Sequence, residues 1–466
     1  MLSVFATAGE VGSEKPVLLH AVQPKELERF LAALPAVETR WLNAIGFAAK
    51  DGELQFIPSE SGRLHAVVLG LGAGRDPLAL AALSERLPAG LYALGDVPAA
   101  FAGARAAYAW AIGTYKFERY RKHKKPAGKE MPRLVLPDGV DTALISRLAD
   151  GVFLARDLIN TPANDMGPAE LEQAARDVAG AYDADMRVLT GEELISANYP
   201  LIHAVGRASA REPRLIDFSW GRDRDPKVTL IGKGVCFDTG GLDIKTSAGM
   251  LTMKKDMGGA ACVLGLARAI MDAKLPVKLR VMIPAIENSI SGTSYRPGDV
   301  LVSRKGLSIE IGNTDAEGRV ILADALAEAD SESPDLLFCL ATLTGAARAA
   351  TGMELPPFFT DDEHLASDLM RHGTEQHDPL WRLPLWRSYE TTVDSPIADV
   401  NNSPDYSLAG AITAALFLNR FITKTERWAH FDIPAWTDRP KPGRRKGGEA
   451  NGIRAMYAVI AERFGK

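Results

Sequence analysis

Cysteine is scarce in this chain, histidine is scattered, and no apolar run is long. Cys236, Cys262 and Cys339 are the only cysteines among 466 residues. Three widely spaced thiols make neither a disulfide framework nor a cysteine-rich zinc site, which fits a reducing compartment such as the cytoplasm. Each lies in an apolar stretch and reads as a small buried hydrophobe. No segment approaches the roughly 20 apolar residues of a membrane span, and MLSVFATAGEVGSEK at the N-terminus lacks the basic region and apolar stretch of a secretory signal. The HExxH zinc helix, the GxSxG nucleophile elbow and the GxxxxGK[ST] phosphate loop are all missing. Net charge is −5, which gives no overall pull toward nucleic acid or an anionic membrane. Of the eight histidines, His430 in RWAHFDIP reads as a satisfied core or interface residue.

What is present suits two α/β domains. A chain of 466 residues is too long for one ordinary hydrophobic core. In the first third, residues 65–87 read as strand, glycine turn and helix. Gly70, Gly72 and Gly74 lack the third glycine of a dinucleotide fingerprint, so a plain tight turn is the better reading. The basic stretch 115–130, with Arg119, Arg121, Lys122, Lys124 and Lys125, reads as a solvated face or hinge. The segment from Pro126 to Gly139 marks the end of a smaller N-terminal domain, 1–140. Residues 141–160 have apolar positions at helical spacing and make a connecting helix. The C-terminal domain, 161–466, alternates continuous apolar runs (227–232, 277–285, 335–343) with helical patterns (258–273, 318–330). Such runs are strands buried on both faces of a mostly parallel central sheet, giving an α/β sandwich. The basic loop 438–448 reads as surface.

Chemistry concentrates in two stretches, IGKGVCFDTGGLDIKTSAGMLTMKKDMGG (231–259) and GNTDAEGR (312–319). Ligands in open α/β sheets gather beyond the carboxyl ends of the strands. Lys233 and Asp238 follow the first apolar run, Glu287 and Asn288 the second, and Thr342 and Thr344 end the third. Asp315 and Glu317 are two positions apart, which in an extended segment puts both carboxylates on one side. So placed, they repel unless cations lie between them. A lone Asp ahead of a helix is most often an N-cap. Four acids (Asp238, Asp256, Asp315, Glu317) on converging loops, beside Lys233 and Lys245, instead point to a cage for two divalent metal ions. Carboxylates suit magnesium, manganese or zinc, and zinc normally adds a nitrogen or sulfur ligand. With no histidine in either stretch, a lysine supplies the nitrogen, provided that adjacent dications lower its pKa from about 10.4.

At these residues the chain resembles the cytosol (leucyl) aminopeptidase family. The resemblance rests on NTDAEGR (313–319) and on GKGVCFDTGG…K…MKKDMGG. NTPAN (160–164), YRPGD (295–299), SPIAD (395–399) and WAHFDIP (428–434) agree with it. It covers the chain from about residue 150 onward and is fainter before, in VVLGLG and GTYKFERY. It implies a smaller N-terminal α/β domain joined by a helix to a catalytic domain, with subunits assembled as a homohexamer. It implies one metal site built from Lys233, Asp238, Asp256 and Glu317, and a more exchangeable one from Asp238, Asp315 and Glu317. Zn2+ or Mn2+ is the expected pair, with Mg2+ as the alternative. Lys245 and Arg319 match the two non-ligand catalytic positions, with a bicarbonate ion held at Arg319. Met253, Thr342 and Gly345 match positions beside the substrate side chain. The implied substrates are peptides with a free N-terminal amine, leucine and other apolar residues being preferred. Two stretches depart from the family pattern. Gly312 stands where an aliphatic residue is common, and GGEANGIRAM (447–456) replaces a small-residue stretch near the specificity pocket. Two rival readings are a two-metal phosphohydrolase, which predicts phosphate loops that are absent, and a DNA-binding hexamer. The net charge opposes DNA binding, although the segment from Lys116 to Lys129 is locally basic.

Overall fold

The computed structural model describes residues 3–11, 15–122 and 131–465. Two compact units divide the chain: residues 1–149 with 439–445, and residues 150–438 with 446–466. The division at 149/150 falls inside the helix Thr142–Asn160. Lys124, Lys125 and the start of the segment 126–139 lie outside the described residues.

The first unit is built on a six-stranded sheet. Its strands are β1 (Phe5–Ala6), β2 (Val17–Val22), β3 (Leu54–Pro58), β4 (Leu64–Gly70), β5 (Gly90–Leu94) and β6 (Pro132–Val135). They lie in the order β1-β6-β5-β2-β4-β3, all parallel except the edge pair β3–β4. The segment expected to end the first domain therefore carries a working strand, β6. The glycine turn after β4 is closely packed. A side chain at Gly70 would strike the Lys50 carbonyl oxygen at 2.2 Å, and one at Gly74 the Gln23 amide at 1.8 Å. The chain itself fills the space that a phosphate loop leaves open. Within this unit, Arg444 of the basic loop pairs with Asp76 at 2.7 Å and Arg445 pairs with Glu85.

The second unit holds a nine-stranded sheet. Its strands are β7 (Asp185–Thr190), β8 (Arg214–Trp220), β9 (Lys227–Gly232), β10 (Gly234–Asp238) and β11 (Lys278–Asn288), followed by four more beyond a small side sheet. That side sheet contributes β12 (Val300–Val302) and β13 (Ser308–Glu310), and later β17 (Val400–Asn401). The main sheet is completed by β14 (Leu336–Ala341), β15 (Pro357–Phe359), β16 (Trp381–Arg382) and β18 (Trp428–Asp432). The middle of the sheet, β11-β9-β14-β18, is parallel. It turns antiparallel toward its edges, at β8 and β7 on one side and β15 on the other. The helices Gly258–Asp272 and Glu317–Ser331 cover the central strands and are buried along nearly their whole length. That is why neither has a strong polar face in sequence. Glycine permits the close contact of the first of these helices: a side chain at Gly259 would meet the Leu340 carbonyl oxygen at 2.1 Å. The three cysteines are free and buried, as small hydrophobes.

Candidate metal centre

The register of the sheet brings the polar residues to one edge. Leu340 is level with Gly232, Ala341 with Asp432 and Asp238 with Asn288. These residues end their strands or, for Leu340, stand one short of the end, so the loops that follow all leave the sheet on the carboxyl side.

Lys233 sits at the first of these exits. Its backbone N–H donates to Leu340 O and its carbonyl accepts from Ala260 N, both at 2.9 Å. Its ammonium lies 2.7 Å from Asp256 Oδ2 and 2.8 Å from Glu317 Oε1, and donates to Thr342 O at 3.1 Å. Gly318 makes room for it: a side chain there would stand 2.6 Å from Lys233 Cε. Asp238 ends β10, where its Oδ1 accepts from Asn288 Nδ2 and from Gly240 N, each at 2.9 Å. Its Oδ2 lies 2.8 Å from Lys245 Nζ, and Lys245 also pairs with Asp315. Oxygens of Asp238, Asp315 and Glu317 come within 4.8 Å of one another. Asp256 joins the group across Lys233.

The local backbone differs from the expected extended segment. Asp315 lies in the 3-10 turn Thr314–Ala316, and Glu317 opens the helix Glu317–Ser331. A cap produces the turn, with Asn313 Oδ1 accepting from Asp315 N at 2.7 Å. The capping residue is therefore Asn313 rather than Asp315, which leaves both carboxylates of the motif free to face the cluster. Asp256 likewise caps nothing. It lies within the 3-10 turn Met253–Met257, and the Thr342 hydroxyl is 2.8 Å from its Oδ1. Glu287 is turned away from the site, accepting from Ser209 Oγ at 2.6 Å and pairing with Arg211. Successive strand residues point to opposite faces, so only Asn288 of that pair serves the cluster.

The electrostatics are those of crowded buried acids. Burial, then the charge of Asp238, pushes the Glu317 carboxyl up to about 8. Burial and the Asp256 charge raise Asp238 to about 6. Burial works the other way on Asp256, yet Lys233 and Lys255 hold it below the usual range. Burial also opposes the charge of Lys233 and Lys245, but the neighbouring carboxylates keep both well above the ordinary lysine value. Four acids face two ammonium groups. Asp256 Oδ2 and Glu317 Oε1 are buried without an aligned hydrogen-bond donor, although Lys233 is within ion-pair distance of both. Buried carboxylate oxygens lacking aligned donors, in excess over the cations present, are a donor set that fits divalent cations. Lys233 becomes a ligand only as a neutral amine, and dications are the local charges strong enough to displace its proton.

Arg319 lies behind the cluster. It is buried, its Nη1 donates to Asn402 O at 2.7 Å, and its Nε has no partner. Burial draws its pKa down to about 10, against Asp432 and Glu317. Sequence reading overlooked Asn402, which accepts from Gly312 N and donates to Asn313 O, each at 2.8 Å. It ties the NTDAEGR loop down, and an isolated asparagine 83 or more positions away carries no sequence signal of this. His430 is buried with Nδ1 3.2 Å from Cys339 O, but Nε2 has no partner, so it is only half satisfied.

A cavity of about 370 Å³ opens onto the cluster. Met253, Thr342 and Gly345 line it together with Lys255 and Arg348, two residues that sequence reading did not single out. Lys255 is buried; desolvation draws its ammonium down to about 8, Asp256 opposing the shift and Arg348 adding to it. The GGEANGIRAM stretch acts as a brace. Glu449 forms a buried pair with Arg156 at 2.9 Å, and Asn451 Oδ1 accepts from Ala435 N at 2.9 Å.

Comparison with known proteins agrees with this geometry. Residues 153–457 match the family model described as the cytosol aminopeptidase family, catalytic domain, and residues 17–137 match the M17 aminopeptidase N-terminal domain. A probable cytosol aminopeptidase of Roseiflexus castenholzii is 42% identical over 75% of this chain and 74% of its own. One from Syntrophotalea carbinolica is 36% identical over 94% and 93%. The crystal structure of the cytosol aminopeptidase from Coxiella burnetii superposes with a TM-score of 0.92 at 45% identity, covering 99% of both chains. The bottromycin maturation enzyme BotP, in complex with Mn, gives 0.85 at 31% identity over 96% of this chain and 99% of its own.

Proposed function

The chain belongs to the cytosol aminopeptidase family, a family of hydrolases, and from that premise we propose that it releases the N-terminal residue of peptides by dinuclear metal-dependent hydrolysis. The observation that carries the reading is the convergence of Asp238, Asp315 and Glu317 on one point, with Asp256 and Lys233 alongside. Lys233, Asp238, Asp256 and Glu317 would hold one Zn2+ or Mn2+ ion, and Asp238, Asp315 and Glu317 the other; the manganese bound to the BotP relative supports that choice. When bound, such a pair supplies a hydroxide nucleophile near neutral pH and polarises the scissile carbonyl.

The residues of the chain do the rest. The carboxylates of the cluster would hold the metal that takes the substrate's free α-amine, which confines cleavage to the N-terminus. Lys245 stands at the cavity wall with its ammonium beside Asp238, where fixed positive charge stabilises an oxyanion as it forms. Arg319, with its unpartnered Nε, would hold a bicarbonate ion, which would supply a proton relay. Met253, Thr342 and Gly345 border the substrate side chain, and the apolar wall of Met253 and Met250 accepts leucine and similar residues. The family resemblance also carries assembly as a homohexamer in the cytoplasm. Ile244 and Leu251, which flank Lys245 in sequence and are 61% and 82% exposed, support burial of these loops between subunits. Among the described residues no helix is long and apolar enough to cross a membrane.

The test is an assay of leucine and methionine amides after chelation, with manganese or zinc restored, and with N-acetylated substrates as control. Restored cleavage of the free-amine substrates alone is expected. Equal cleavage of the acetylated forms would defeat the amine anchor. Activity undiminished by chelation would defeat the metal reading.

A further inference from the structure

The cavity beside the metal cluster is not lined as a purely apolar pocket. Met253, 7% exposed, supplies an apolar wall, and Gly345 leaves one side bare. Beside the cluster's own Lys233, Lys245, Asp238, Asp256 and Asp315, two further cations line it, Lys255 and Arg348. Lys255 is 3% exposed. Arg348 projects from the helix Gly345–Thr351, its Nη2 3.6 Å from the point where a side chain on Gly345 would begin. Among the described residues neither cation has a hydrogen bond or an ion pair.

The nearby acids are already engaged. Asp238 and Asp315 pair with Lys245, and Asp256 pairs with Lys233. Asp432, the other acid whose charge reaches Lys255, accepts from Leu343 N, Thr344 N and the Thr344 hydroxyl. Among the described residues no other side chain on the wall pairs with either cation. A desolvated cation without an ion-pair partner is costly, and a cavity that keeps the buried Lys255 with the half-buried Arg348 beside it favours an occupant bringing negative charge.

We propose that Lys255 and Arg348 form an anion-reading end of the side-chain pocket, so that the pocket accepts N-terminal residues with an apolar stem and a terminal carboxylate, glutamate foremost. The assignment rests on the aminopeptidase reading and adds a specificity to it. Glutamate has the methylenes to pass Met253 and a carboxylate to meet the ammonium and guanidinium in charge-assisted hydrogen bonds. Glutamine has nearly the same shape without the charge, so the two substrates isolate the effect.

The experiment uses the full-length, manganese-loaded protein with the p-nitroanilides of leucine, glutamine and glutamate, and compares kcat/KM. Wild type should cleave the glutamate substrate at least about tenfold better than the glutamine one. Lys255→Met and Arg348→Leu should each collapse that ratio toward unity, while Lys255→Arg should preserve most of it. Because the readout is a ratio within one preparation, a variant that folds less well does not mimic the effect, and the wild-type ratio stands without any variant. Cleavage of leucine and glutamine substrates with no advantage for glutamate would overturn this assignment and leave the aminopeptidase reading standing. An advantage for glutamate that survives both charge-removing variants would overturn the roles of Lys255 and Arg348. No cleavage of any of the three would overturn the underlying reading, and this assignment with it.

Discussion

Replacing Gly318 by alanine tests the architecture of the cluster more sharply than removing a ligand. The added methyl would stand 2.6 Å from Lys233 Cε and 2.7 Å from its Nζ, whereas ordinary contact begins at 3.4 Å. The end of Lys233 must therefore retreat by about 0.8 Å, against a wall with little give. Its ammonium lies between Asp256 and Glu317 at 2.7 and 2.8 Å, and the side chain is 3% exposed. Overpacking of this kind costs about 1–3 kcal/mol. A misplaced ligand also weakens metal binding, by roughly 10–100-fold on the scale seen when ligand-orienting contacts are lost. Gly180 is the internal control. It ends the helix Pro168–Gly180, and a side chain there meets nothing within 4 Å, so the same substitution should be neutral or stabilising by up to about 1 kcal/mol. Urea unfolding of the chelated protein would give the packing cost, and manganese titration of activity the affinity. Gly318→Ala with wild-type stability and wild-type manganese dependence would show that Lys233 is not held by the glycine as argued.

Other outcomes follow from the same geometry. Glu317→Gln should lose metal binding and nearly all turnover, whereas Lys245→Ala should keep its metal by elemental analysis and lose most turnover; an unchanged kcat in the second variant would remove Lys245 from the chemistry. Manganese at about a hundred times its dissociation constant should stabilise the chelated protein by about 2.7 kcal/mol, read as a rise in Tm. Glu449→Ala leaves the buried Arg156 without that carboxylate and should cost about 3–5 kcal/mol, with part of the loss recovered in the double variant carrying Arg156→Met. His430 is drawn down to about 3 by burial, with the Cys339 carbonyl opposing and the Arg319 charge assisting. As pH falls below about 6.5 the unfolded chain takes up this proton first, so the stability contributed by neutral His430 is full above 6.5 and is lost toward pH 3 at about 1.4 kcal/mol per unit. His430→Phe keeps a ring against Phe359, stacked at 5.9 Å in the native pair, and should flatten that slope in denaturant melts of the metal-free protein between pH 7 and 4.5.

Much of the catalytic unit was legible because its central strands are buried on both faces. Continuous apolar runs announced β9 at its observed ends and β11 and β14 to within three residues, together with the two helices between them. The antiparallel flanks β7 and β8 were not read, since β7 is a half-buried edge strand with a weak pattern, the apolar run of β8 is broken by Asp217 and Ser219, and strand order is set by contacts between distant segments. The acids and lysines of the cluster were legible as an oddity among glycines. Their conformation was not, because one local bond, from Asp315 N to Asn313 Oδ1, replaces an extended run with a turn. Glu287 was grouped with the cluster because proximity along the chain does not say which face of a strand a side chain takes. Lys255 was passed over because one lysine in MKKDM looks like another: Lys254 reaches outward to the Asn160 carbonyl at 2.6 Å, while its neighbour is buried at the cavity.

The contact between Thr342 and Asp256 bears on anyone who would redesign the enzyme. Thr342 invites mutagenesis, since it faces the cavity and is small enough to trade for valine or alanine. Its hydroxyl, however, is 2.8 Å from Asp256 Oδ1, so enlarging or shrinking that wall also retunes a carboxylate of the cluster, and a library built there would confound altered selectivity with altered metal loading. Lys255 bears on the same carboxylate through its charge, so Arg348, which has no such tie, is the cleaner handle for directed evolution.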